Sequence, residues 1–167
     1  MSARSDRTQR AEARDAVAVH LARAAAVVGG LYAAVSAYWA FGGSGLLDTI
    51  GGTLARQGRA AGAVAAAGAA AILKLLAAVV PLRAVQRRRR AREQRVTELL
   101  AWMAAFILSA YGLILTAAGL LLQAGVIEAS PTADRRALAW HAYLWDPWFL
   151  LWGILITLAL ARRVDHS

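Results

Sequence analysis

The stretch AAGAVAAAGAAAILKLLAAVVPL, residues 60–82, decides how the rest of this chain is read. It runs for 23 residues with a single charge, Lys74. A helix needs roughly 17–25 apolar residues to cross a hydrocarbon core, so this is a membrane span. Three more stretches of that kind follow on inspection of its flanks: about 24–41, about 99–124 and about 146–161. The first continues a basic amphipathic helix that begins near Ala11, because AEARDAVAVHLARAAAVV holds no Gly or Pro to stop it. A cleaved signal peptide is the competing reading of this end. His20 and Arg23 interrupt the would-be apolar core, and the apolar run beyond them is too long for one. Residues 1–23 are therefore read as a basic lead-in, 24–162 as a four-span membrane domain and 163–167 as a short tail. The expected class is all-α, an integral membrane four-helix bundle.

Composition agrees. Of 167 residues, 59% are hydrophobic, yet 19 Lys/Arg against 10 Asp/Glu leave a net charge of +9. A pI near 11.3 would suit a nucleic-acid binder if the basic residues covered a soluble surface. Here they lie between apolar runs, so nucleic acid is not an expected partner. With no cysteine, thiol nucleophiles, disulfides and Cys-based metal sites are excluded.

Fourteen arginines lie at the start, in 83–95 and at the end of the chain, whereas the other two loops hold Arg56, Arg59, Arg135 and Arg136. The positive-inside rule puts the richer side, and with it both termini, in the cytoplasm. The run QRRRRAREQR (86–95) then has a simple role, in which Arg87, Arg88, Arg89, Arg90 and Arg92 fix topology and hold anionic lipid head groups. Small residues four apart mark helix contacts in lipid. Span one carries Ala22, Ala26, Gly30, Ala34 and Ala25, Gly29, Ala33, Ala37; span two carries Gly58, Gly62, Ala66, Ala70 and Ala61, Ala65, Ala69. These two spans are expected inside the bundle, with the Leu/Ile-rich spans three and four facing lipid. The surplus of small surface also allows a homo-oligomer or a larger membrane complex.

Four of the six tryptophans fall within WHAYLWDPWFLLWG (140–153). Asp146-Pro147 is the pattern of a helix start, with Asp capping free N–H groups and Pro at the first helical position. On this outer side lie Trp140, Tyr143, Trp145, Trp148 and Trp152, and also Tyr38, Trp39 and Phe41 at the end of span one. The plain reading is an aromatic belt at the interface. The sharper one is an outward-facing aromatic pocket beneath Trp39, Trp148 and Trp152, with His141 at its mouth. The loop FGGSGLLDTIGGTLARQG (41–58) faces the same side, as a packed lid with Asp48 capping a short turn, or as a gate. Trp39, Asp48, His141, Trp145, Asp146, Trp148 and Trp152 are thus the ligand-binding candidates.

Lys74 is the intramembrane charge. It lies eight residues from Leu82, about 12 Å at 1.5 Å per residue, so it is expected to snorkel inward or pair with Glu98. An ion path is the functional alternative, and Ser36, Lys74, Ser109, Thr116 and Gln123 are the few residues that could line it. His141 with Asp48 or Asp146 can be drawn as an acid–base pair, but no HExxH, paired-His or Cys pattern accompanies it. No catalytic residue, metal or cofactor is assigned.

With W-A-F-G-G at 39–43 and W-D-P-W-F-L-L-W-G at 145–153, the chain resembles a family of small actinobacterial membrane proteins catalogued as a domain of unknown function. That family has four predicted spans, a Trp-x-x-Gly-Gly element after the first and an Asp-Pro-Trp-Phe element opening the last. The resemblance covers most of residues 20–162. The chain departs from the pattern after Gly-Gly, where SGLLDTIGG stands in place of a segment with another Trp. The resemblance implies fold and membrane location, and carries no activity. The function expected is non-enzymatic binding of a lipid or small apolar ligand, or an accessory role. The alternatives are a transporter or channel subunit, and a membrane enzyme acting on a lipid or isoprenoid.

Overall fold

A computed structural model describes residues 2–51, 61–86 and 91–164. Helix α1 (Ser2–Ala40) leads into a loop with a short 3-10 turn at Leu47–Thr49. Helix α2 (Ala61–Gln86) and helix α3 (Ala91–Gln123) follow. Helix α4 (Arg135–Trp140) passes through a π-helical turn (His141–Trp145) directly into helix α5 (Asp146–Val164). Four segments are long and apolar enough to cross a membrane: Thr8–Ala40, Ala61–Gln86, Arg92–Gln123 and Arg135–Arg163. They run up-down-up-down, which brings the start of α1, the end of α2, the start of α3 and the end of α5 to one face, here the terminal face. The loops after α1 and α3 lie on the opposite, loop face.

The bundle is built outward from a central pair, α1 and α5, with α2 laid on α1 and α3 laid on α5. Of the most apolar stretch of each span, 33% is buried in α1 and 39% in the last span, against 11% in α2 and in α3. This corrects two expectations. Span two is peripheral although it is rich in small residues, and span four is central although it is rich in Leu and Ile. The reason is visible at the α3–α5 seam. A methyl group at Gly112 would overlap the backbone of Leu150, one at Gly119 would stand 2.9 Å from Ala142 Cα, and one at Gly153 would overlap Ser109. Three glycines spread over two helices let the backbones meet as closely as continuous rows of alanine would.

In α1 the second of the two small rows is the more continuously buried, although Ala22 of the first is in the core as well. Ala25, Gly29 and Ala33 are buried, whereas Ala34 of the first row is exposed. In α2 neither expected row is buried. Ala61, Gly62, Ala65, Ala66 and Ala69 are exposed, and Gly58 lies outside the described residues. The face turned to α1 instead runs through Ala67, Lys74, Ala78, Pro81 and Val85, the spacing of one helical stripe. An almost all-alanine helix offers small rows on every side. Burial of Lys74 selects the one that is used.

The last span also begins elsewhere than its sequence suggests. Asp146 has helical torsions (φ −79°, ψ −42°) and caps nothing. The true N-cap is Asp134, whose side chain accepts from the N–H groups of Arg136 and Ala137. Pro147 is accommodated by the π turn before it. Proline in a helix has no N–H to give to the carbonyl four residues back and its ring crowds that carbonyl. At the turn the Asp146 N–H donates to His141 O, five residues back, and the helix widens there.

Candidate functional site

Two places hold the candidate residues. The first is an aromatic cluster under the loop that follows α1. Tyr32 stacks on Trp145, with ring centroids 5.5 Å apart, and meets Phe149 at 4.6 Å. Trp39 lies edge-on to Trp145 at 6.0 Å. The indole N–H groups are individually satisfied. Trp39 donates to Gly45 O at 2.8 Å, Trp145 to Thr49 Oγ1 at 3.1 Å, and Trp148 to the α1 carbonyl of Val28 at 3.1 Å. Thr49 is buried and passes its own hydroxyl proton to Leu46 O at 2.6 Å. Leu46 is held in the left-handed region (φ 64°), a conformation non-glycine residues rarely adopt. The loop over 41–51 is therefore a lid pinned to the helices, the plainer of the two readings. Beneath it these rings pack on one another.

His141 sits at the rim of this cluster. Its Nδ1 is 3.2 Å from Asp146 Oδ1 and its Nε2 is 3.2 Å from Ile50 O. A backbone carbonyl and an ionised carboxylate only accept, so the imidazolium form satisfies both. The convergence required of an acid–base pair thus occurs between His141 and Asp146. Both ring nitrogens, however, are engaged: Nε2 ties the lid to the last span at Ile50, and the Nδ1 contact with Asp146 fixes the ring within that span. Asp48 takes no part in it. It pairs on the surface with Arg136 at 3.1 Å, and the 3-10 turn it was expected to cap has no side-chain cap. Among the described residues no group of three or more His, Asp or Glu could hold a metal ion.

The second place is a lateral groove between α2 and α3, a cavity of about 570 Å³. Leu73, Leu76, Ala77 and Val80 form one wall; Leu100, Met103, Ala104 and Ile107 form the other. Leu76 is 54% exposed and Met103 49%, so the groove opens sideways, toward what would be lipid. Lys74 stands at one end and Trp152 at the floor. The groove exists because α2 and α3 are the two outer helices, each packed on a different member of the central pair.

Lys74 does not snorkel toward the terminal face, nor does it meet Glu98, which accepts from Gln94 instead. A side chain leans toward its helix N-terminus, and for α2 that is the loop face. The ammonium donates to Ser36 Oγ at 2.8 Å and lies 3.8 Å from the centre of the Tyr32 ring. Cation–π contact of this kind contributes about 0.5–2 kcal/mol. No carboxylate among the described residues lies within ion-pair reach of it. Trp152 is fully buried against Gly29, where an added methyl would overlap its ring, and its Nε1 has no hydrogen-bond partner among the described residues. The groove thus brings Lys74 and Trp152 together and leaves Trp39, Trp145 and Trp148 in the ring cluster. Of the basic run, Arg87 to Arg90 lie outside the described residues; Arg92 is exposed in the first turn of α3.

Sequence reasoning missed Tyr32 and Thr49, and it set Ser36 on a polar path without pairing it to Lys74. Ser36 lies on the same α1 stripe as Ala25, Gly29 and Ala33, and that spacing is the signal that marks it as buried. Nothing local marks Thr49.

Fold and site together define a four-span, all-helical membrane protein with a small lid on one face and a lipid-facing groove on one side. Residues 29–156 match the model of a family described as a protein of unknown function, DUF3995, and the chain belongs to that family. No curated protein and no solved structure matches it.

Proposed function

We propose that the protein is a non-enzymatic component of a bacterial plasma membrane, with both termini in the cytoplasm, that takes a lipid chain or small apolar molecule into the groove between α2 and α3. The observation that carries this reading is the groove itself: about 570 Å³, walled by Leu, Met, Ile, Val and Ala, with one cation at its end. Ligand sites have this constitution, mostly apolar with a few placed polar groups. An ammonium inside a bundle with no carboxylate partner among the described residues is costly, and a ligand oxygen beside Lys74 would offset that cost. The orientation rests on the arginine asymmetry of the loops.

The test is photo-crosslinking of the full chain, in membranes, with a long-chain fatty acid bearing a terminal diazirine. Label is expected on Leu76, Ala77, Met103 and Ala104, and Ala77→Trp, which fills the groove, should reduce it about tenfold. Label spread evenly over the outward faces of all four helices, unchanged in A77W, would overturn the reading.

A further inference from the structure

A second cavity, of about 420 Å³, lies where the terminal ends of α1, α2 and α5 meet. It shares no lining residue with the groove, so nothing said of it depends on that site. Asp15 and Arg23 of α1 and Arg163 of α5 bring charge to its wall, with Val19, Val85 and Gln86 between them.

Arg163 Nη1 is buried and has no hydrogen-bond partner among the described residues. A guanidinium N–H can only donate, and a buried charged donor without an acceptor is strongly unfavourable. Among the described residues no acceptor reaches it, and a bound anion would supply one. The two arginines make the wall suited to a phosphate, the anion whose geometry the guanidinium fork matches. Asp15 adds the opposite sign. Among the described residues it forms no ion pair, so its charge is available to a cation in the same cavity.

The order of these charges matters. Asp15 precedes Arg23 by eight residues, about 12 Å along the helix, and so stands farther from the apolar spans. A phospholipid enters a membrane in the matching order, with chains innermost, then phosphate, then the head-group substituent. We propose that this cavity binds the head group of a zwitterionic aminophospholipid, its phosphate on Arg23 and Arg163 and its ammonium toward Asp15. A negative substituent would be repelled by the Asp15 carboxylate, and a neutral hydroxyl would donate to it without the charge that strengthens the ammonium contact.

Native mass spectrometry of the full chain in mild detergent tests this, with phosphatidylethanolamine and phosphatidylglycerol of identical acyl chains added in equal amounts. The wild type should retain the ethanolamine lipid about tenfold over the glycerol lipid. Asp15→Asn should erase that preference, and Arg163→Gln should reduce retention of both. Should R163Q misfold, as judged by helical circular dichroism and monodispersity, Arg23→Gln reads the same phosphate contact. Equal retention by the wild type, a preference for phosphatidylglycerol, or a preference that survives D15N would each overturn the proposal.

Discussion

Lys74 shows how a single side chain sets the register of a helix. In α2, alanine and glycine offer almost equivalent faces, and the one that is buried is the one carrying the ammonium to Ser36 and Tyr32. The charge is retained at a cost, because among the described residues its removal from water is compensated by one hydroxyl and two aromatic faces, Tyr32 and Phe149, with no carboxylate. Lys74→Met keeps the length of the side chain without the charge, and is expected to leave stability unchanged or raise it by roughly 1–4 kcal/mol. Ser36→Ala leaves the ammonium in place and removes its acceptor, and should destabilise by about 1–3 kcal/mol. Thermal unfolding of both variants in one detergent checks the pair. A larger loss from K74M than from S36A would mean that the ammonium contributes net stability, contrary to this account.

At the scale of elements, the last span carries the informative disagreement. Asp-Pro before an apolar run is a strong local start signal. Yet the helix is already formed when the chain reaches Asp146, since Asp134 has capped it and the π turn has made room for Pro147. The consequence is a long continuous element whose first part, α4, docks under the lid and whose second part crosses the bundle. Asp134→Ala should therefore cost about 1 kcal/mol and speed amide exchange at Arg136 and Ala137. Asp146→Ala should leave exchange in the first turn of α5 unchanged and instead loosen the His141 end of the lid. Faster exchange at Phe149 and Leu150 in D146A would restore the cap that the sequence suggested.

For the whole molecule, the arrangement α2–α1–α5–α3 explains why a groove exists at all. A bundle whose outer helices pack on different partners leaves their mutual contact thin, and the opening lies on the lipid-facing side. The same up-down path puts Arg14, Arg23, Arg83, Arg92, Arg162 and Arg163 toward one face. The chain's lack of cysteine makes this directly testable, because each introduced thiol is the only one present. Arg92→Cys is expected to react with a membrane-impermeant maleimide only after the inner face is opened, and Thr132→Cys in intact cells. Reaction of both from the same side would refute the four-span path, and the reverse pattern would invert the orientation.

How much of this was legible beforehand depends on which forces act locally. Span number, the continuity of the N-terminal helix into span one, and the apolar class of the fold follow from runs of residues too long and too apolar for water, and any neighbour would leave them so. Trp39, Trp145 and Trp148 could be assigned to one side from their places at the ends of spans, whereas for the loop 41–58 lid and gate both stayed open. The pairing of helices could not, because Gly112, Gly119 and Gly153 look ordinary in spans dominated by leucine and act only when two backbones meet. Nor could the groove, for it belongs to no segment: it is the space left between α2 and α3. Solubility in lipid is a property of each segment by itself, and the sequence determined it. Contact is a property of two surfaces at once, and only the tertiary structure decided that Lys74 faces Ser36 and that Trp152 rests on Gly29.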